Sequence, residues 1–213
     1  MTTVDALPGG VLVVETLQTP DRLIRLAVDL VNTRTRDPEQ LTSPAAVREF
    51  LLAHAEPEPV TVTEADLAEV IDVRERLRPV FHSSPADAAG TLNDLLAEYA
   101  VRPYLSDHDG SPWHLHVADQ DASWAQWLGA ATALGLAGFA AGHGFEAMST
   151  CDAADCERVF VNQAEHRPRR FCGPTCAGRT RVASYRARRR AGAAEGTRIR
   201  KEPGSGPGEE ERT

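Results

Sequence analysis

The chain has 213 residues, 42% of them apolar, and a formal net charge of −8. That is room for one large domain, or a medium domain plus a small one, with enough apolar content for a packed core, which excludes a chain too polar to fold. The start, MTTVDALPGGVLVVETLQ, has no basic n-region, so it does not read as a secretory signal and the expected compartment is the cytoplasm.

Residues 1–10 read as a frayed start, and Val11–Leu17 (VLVVETL) as a strand, being β-branched and apolar. Three helix starts then share one signature. Thr19-Pro20, Ser43-Pro44 and Ser84-Pro85 each place an oxygen side chain at the N-cap and a proline at the first helical position. A fourth, Thr63 with Asp66 three residues on, reads as a capping box with Asp in place of Glu or Gln. The first helix, 20–33, carries Leu23, Leu26, Ala27, Leu30 and Val31 at helical spacing. On it Asp29 and Asn32 share a face. They read as a satisfied polar pair at a helix end, or as one wall of a candidate ligand pocket for a small anionic effector, with Arg74 as counter-charge.

Residues 103–121 read as two short strands around an Asp109-Gly110 turn. Trp113, Leu115 and Val117 alternate there with His114 and His116. The two imidazoles could start a metal site, but no third ligand is near in sequence, and alternation equally makes them the solvated side of a half-buried strand. From Trp124 to Ala141 the chain is uncharged and apolar, long enough to span a membrane. Its Ala- and Gly-rich composition, with Gln126 and Thr132, predicts instead a buried central helix whose small residues let its neighbours approach closely.

All four cysteines follow: Cys151, Cys156, Cys172 and Cys176, two close pairs within 26 residues. Disulfides belong to oxidising compartments, and a chain of this size does not need them. Two close pairs supply a tetrahedron of thiolates for one zinc, with no coordination position left open, so the metal is structural. Glu157–Val161 and Arg169–Phe171 are expected to be the two strands of the module, with Phe160 and Phe171 as a miniature core. Gly173-Pro174 starts a helix. On that helix Arg179, Arg186 and Arg190 fall on one stripe and Arg181 and Arg188 almost opposite, with Val182 and Tyr185 between them and expected to pack on the hairpin. The charge is divided accordingly. Residues 1–150 hold 9 Arg against 22 acids, and residues 151–190 hold 10 Arg against 4. Such asymmetry points to a nucleic-acid-facing module on an acidic body.

The Cys pairs, the step Arg169-Arg170-Phe171-Cys172 and the Arg-rich helix resemble the CGNR zinc-finger family. The family's Cys-Gly-Asn-Arg is here Cys176-Ala177-Gly178-Arg179, so the ligand and the arginine match while the Gly and Asn are displaced. The run LAVDLVNT, with VREFL (47–51), RERLR (74–78) and LNDLL (92–96), resembles the ABATE domain, the usual N-terminal partner of that finger. The resemblance implies a stress-induced transcription regulator. The expected architecture is α+β: a mostly helical domain with a small β-hairpin over 1–148, a treble-clef-like four-cysteine zinc finger with its basic helix over 149–191, and a disordered tail over 192–213. DNA is the expected partner, through Arg179, Arg181, Arg186, Arg188 and Arg190. The alternative is a zinc-stabilised protein-interaction module without nucleic-acid binding. No enzyme is expected. The second Cys pair is spaced by three residues and lacks the His-x-Glu of zinc deaminases, and no Gly-x-Ser-x-Gly, Walker loop or Rossmann fingerprint occurs.

Overall fold

A computed structural model describes residues 19–35, 38–99, 103–106, 113–118, 121–163 and 168–199. The strand expected at Val11–Leu17 and the turn at Asp109-Gly110 lie outside the described residues. The helices are α1 (Thr19–Asn32), α2 (Pro44–Ala53), α3 (Glu64–Leu77), α4 (Pro85–Glu98), α5 (Trp124–His143) and α6 (Pro174–Ile199). Two antiparallel two-stranded sheets complete the fold. β1 (Tyr104–Ser106) pairs with β2 (His114–His116), and β3 (Met148–Thr150) with β4 (Val159–Val161). The chain divides into two compact units, Met1–Cys172 and Gly173–Thr213.

Local chemistry sets the helix ends. The Ser43 and Ser84 side chains accept from the N–H groups of Ala46 and Asp87, each ahead of a proline. Thr63 and Asp66 close a reciprocal box, and so do Ser123 and Gln126 at the start of α5. Each such cap satisfies helix N–H groups that have no partner within the helix and is worth about 1 kcal/mol. The box at Ser123 was legible in the sequence as Ser-x-x-Gln but is absent from the expected starts.

The core of the first unit is built around α5, which packs against α1, α3 and α4. Leu128, Ala130, Ala131, Ala133 and Leu136 are fully buried, and the Thr132 hydroxyl donates to the Leu128 carbonyl, so no polar group of this helix is stranded. Among the described residues, no helix is long and apolar enough to cross a membrane. The glycines of α5 are not equivalent. A Cβ at Gly135 would stand 2.7 Å from the Cβ of Leu23 and 2.9 Å from its backbone carbon, which fixes how closely α1 can lie. One at Gly129 would meet the ring of Tyr99 at 2.3 Å, whereas one at Gly138 would meet nothing within 4 Å.

The small sheet of β1 and β2 pairs Leu105 with Leu115. Trp113 was expected on the packed side of this strand; it is 62% exposed, while Val117 is buried. Trp113 precedes the first residue of the strand, His114, and so lies outside the paired segment.

Substitution in α5 separates these roles. Gly135→Ala should lower stability by about 1–3 kcal/mol, because the added methyl meets backbone that cannot step aside. Gly138→Ala should raise it by about 0.5–1 kcal/mol, through helix propensity alone. Urea unfolding of the two variants checks both signs.

Candidate metal centre and basic helix

The metal centre is assembled by backbone hydrogen bonds between short, irregular segments. The N–H of Cys151 donates to the Arg158 carbonyl at 2.9 Å, and that of Cys156 to Ala153 at 3.0 Å, which closes the first loop. The N–H of Asp152 donates to the Arg170 carbonyl at 2.9 Å, and the N–H of Cys172 points at the Cys151 sulfur, 3.4 Å away. Cys176 sits in the first turn of α6, where the helix N-terminus favours a thiolate. The four sulfurs lie within 4.8 Å of one another, and those of Cys156 and Cys172 are 3.7 Å apart. A tetrahedral zinc with bonds of about 2.3 Å has sulfur–sulfur edges of about 3.8 Å. All four cysteines are free of disulfides. Burial works against ionisation of Cys151, but hydrogen bonds from the backbone of Cys172 and Ala153 outweigh it and hold this thiol below its ordinary value. An all-thiolate donor set at this spacing fits zinc. Among the described residues, no other grouping of His, Cys, Asp and Glu could hold an ion.

The strand pairing differs from the expected one. Val159–Val161 pairs with Met148–Thr150, ahead of Cys151, and Arg169–Phe171 forms no strand. In place of a ladder, the buried amide of Asn162 accepts from the Arg169 N–H at 2.8 Å and donates to the Arg169 carbonyl at 3.3 Å. Phe160 is buried and Phe171 half-buried. The Arg169 guanidinium lies over the Phe160 ring and donates to the Val161 carbonyl. The Arg170 guanidinium lies over Phe171 and pairs with Asp152. This pair of arginines therefore braces the metal loops.

On α6, residues 181–191 are all exposed. Val182 and Tyr185, expected to pack on the hairpin, are 49% and 54% exposed. Arg181, Arg186, Arg188 and Arg190 are exposed as well. Arg179 has a different setting: its guanidinium reaches the Cys176 sulfur at 3.8 Å, so it supports the ligand that precedes it by three residues. The helix also runs to Ile199, past residue 192 where a disordered tail was expected to begin. Ala191, Ala193, Ala194 and Glu195 favour helix against Gly192 and Gly196, and no proline intervenes before Pro203, so an existing helix can propagate.

Asp29, Asn32 and Arg74 do not converge on one pocket; each meets its own partner. Asp29 accepts from His54 at 3.2 Å. The buried amide of Asn32 donates to the Val159 carbonyl and accepts from its N–H, both at 2.9 Å, and so ties the end of α1 to β4. Arg74 is fully buried, and its counter-charge is Glu39, held through two bonds of 2.5 and 2.7 Å, with further bonds to Thr33 and Glu75. Sequence reading missed Glu39 because only the fold brings it to Arg74 from 35 residues away. A cleft of about 510 Å³ elsewhere is lined by Tyr99 and by Glu69, Asp72 and Glu98, whose carboxylates would repel an anion. His116 stacks on Tyr104 at 5.0 Å.

Comparison with known families accords with this geometry. Residues 24–143 match the ABATE model, described as "Putative stress-induced transcription regulator", and residues 148–189 match the CGNR zinc finger. No curated protein matches the sequence. Cys151, Cys156, Cys172 and Cys176 are thus the ligand set of one structural zinc.

The Arg74 network has a direct consequence for stability. Arg74→Ala leaves Glu39 without its partner and a void in the core, at a cost of about 3–5 kcal/mol. The hydrogen bonds from Arg74 hold the Glu39 carboxyl below its ordinary value. Their stabilisation is therefore complete above the ordinary carboxylate range and fades as the pH falls through the lowered value. Unfolding curves of wild type and variant should accordingly draw closer in acid, with the cost of the void remaining. An unchanged midpoint in the variant at neutral pH would contradict this role.

Proposed function

The chain belongs to the ABATE family and carries a CGNR zinc finger, and from that premise we propose that it regulates transcription by binding duplex DNA through α6. The observation that carries the reading is the composition and exposure of this helix. Residues 174–194 hold six arginines and no Asp or Glu, and every residue from 181 to 191 is exposed. Phosphate attracts such a surface by releasing condensed counterions. The metal's part is architectural: four cysteines fill its shell and leave no position for water or substrate, so the zinc itself is structural and not catalytic. The cytoplasm is the compartment that goes with this role.

A second reading, a zinc-stabilised module for a protein partner, draws on the exposed Val182 and Tyr185. An apolar pair on a helix surface is the kind of anchor protein interfaces use.

Affinity for an arbitrary duplex as a function of salt separates the two. With about four phosphate contacts, the full zinc-bound chain should lose about a hundredfold in affinity between ~50 and ~200 mM salt. Arg186→Ala should weaken binding to every sequence and flatten the logarithmic slope by about one. A zinc-bound chain with no salt-dependent affinity for DNA would sink the first reading and leave the protein-partner module.

A further inference from the structure

The arginines of α6 are not spread evenly. At 3.6 residues per turn, Arg186 and Arg190 fall on one side and Arg181 and Arg188 on the opposite side. Arg179 shares the first side but is engaged with the Cys176 sulfur. Between these flanks lies a strip formed by Val182, Tyr185 and Arg189, all exposed. We propose that this strip is the base-reading face of α6, and that the two arginine flanks grip the phosphates on either wall of a DNA major groove.

The dimensions agree. A helix with its side chains is about 10–12 Å across, and the major groove is about 12 Å wide. Flanks on opposite sides of such a helix meet the two phosphate walls, and whatever lies between them faces the base edges. The strip has the chemistry for those edges. The guanidinium fork of Arg189 matches O6 and N7 of guanine, and the apolar surfaces of Val182 and Tyr185 match a thymine methyl. Duplex is favoured over single strands because strand-binding surfaces stack successive bases on several aromatic rings, and the strip offers one. It is favoured over a protein partner because the apolar pair is small, a guanidinium follows it one turn on, and arginines border it on both sides.

The assignment rests on the DNA-binding reading, and its test keeps the two apart. The full zinc-bound chain is used to select a preferred site from randomised duplexes. Affinities for that site and for a scrambled duplex are then measured for wild type, Arg189→Ala, Tyr185→Ala and Arg186→Ala. Arg189→Ala should cut the ratio of selected to scrambled affinity about tenfold or more, as loss of a bidentate base contact does. Tyr185→Ala should lower the ratio too. Arg186→Ala should weaken both duplexes equally and keep the ratio. Equal weakening by Arg189→Ala would make it another phosphate contact and overturn the assignment. So would selection that yields no preferred sequence, though DNA binding itself would stand. Absence of any DNA affinity would remove both.

Discussion

Four cysteine sulfurs held within 4.8 Å of one another are the constraint on which the C-terminal part of the molecule depends. Thiolates at that distance repel unless a cation sits among them, and with one the repulsion becomes binding energy that the fold can use. The described residues of 151–173 have little regular structure of their own. Among these described residues there are one three-residue strand, few apolar side chains and several charges. The backbone bonds from Cys151 to Arg158 and from Asp152 to Arg170 close loops that would not close alone. Cys176, three residues into α6, brings the start of the basic helix under the same constraint.

A second device recurs twice, and it explains why so little regular sheet suffices. The side-chain amides of Asn32 and Asn162 each pair with both backbone groups of one residue, Val159 and Arg169 respectively. A primary amide offers the same donor and acceptor as a peptide group, so each Asn stands in for a neighbouring strand. Asn32 projects from the last turn of α1, whose apolar face, with Leu23, Leu26 and Leu30, is buried in the core that α5 shares. The strand leading out of the first metal loop is therefore fastened to the helical body, and both backbone groups of Val159 are paired. An apolar residue at position 32 would strand both of them.

The sequence was informative wherever the chemistry is local. Cysteine spacing identifies the metal centre, Ser43, Thr63 and Ser84 mark helix starts, and the Ala/Gly run announces α5. It was uninformative wherever the partner is distant. Nothing in Met148–Thr150 alternates, so its pairing with β4 is visible only in three dimensions. Arg169 and Arg170 look like part of the basic surface until Phe160, Phe171 and Asp152 are seen beneath them. Asn32 reads as an ordinary helix-end polar group, because its partner is 127 positions away. Val182 and Tyr185 follow an apolar pattern, yet pattern alone does not say whether a surface covers them. Their exposure is what turns an expected packed seam into a candidate face for reading DNA.

The central claim is that the four cysteines hold one structural zinc, and metal analysis of the full chain purified without added metal tests it most directly. One zinc per chain is predicted, lost from Cys172→Ser or Cys176→Ser together with the folded structure of residues 148–172. A wild-type chain carrying less than about a tenth of an equivalent, with its cysteines in two disulfides by mass, would contradict the account.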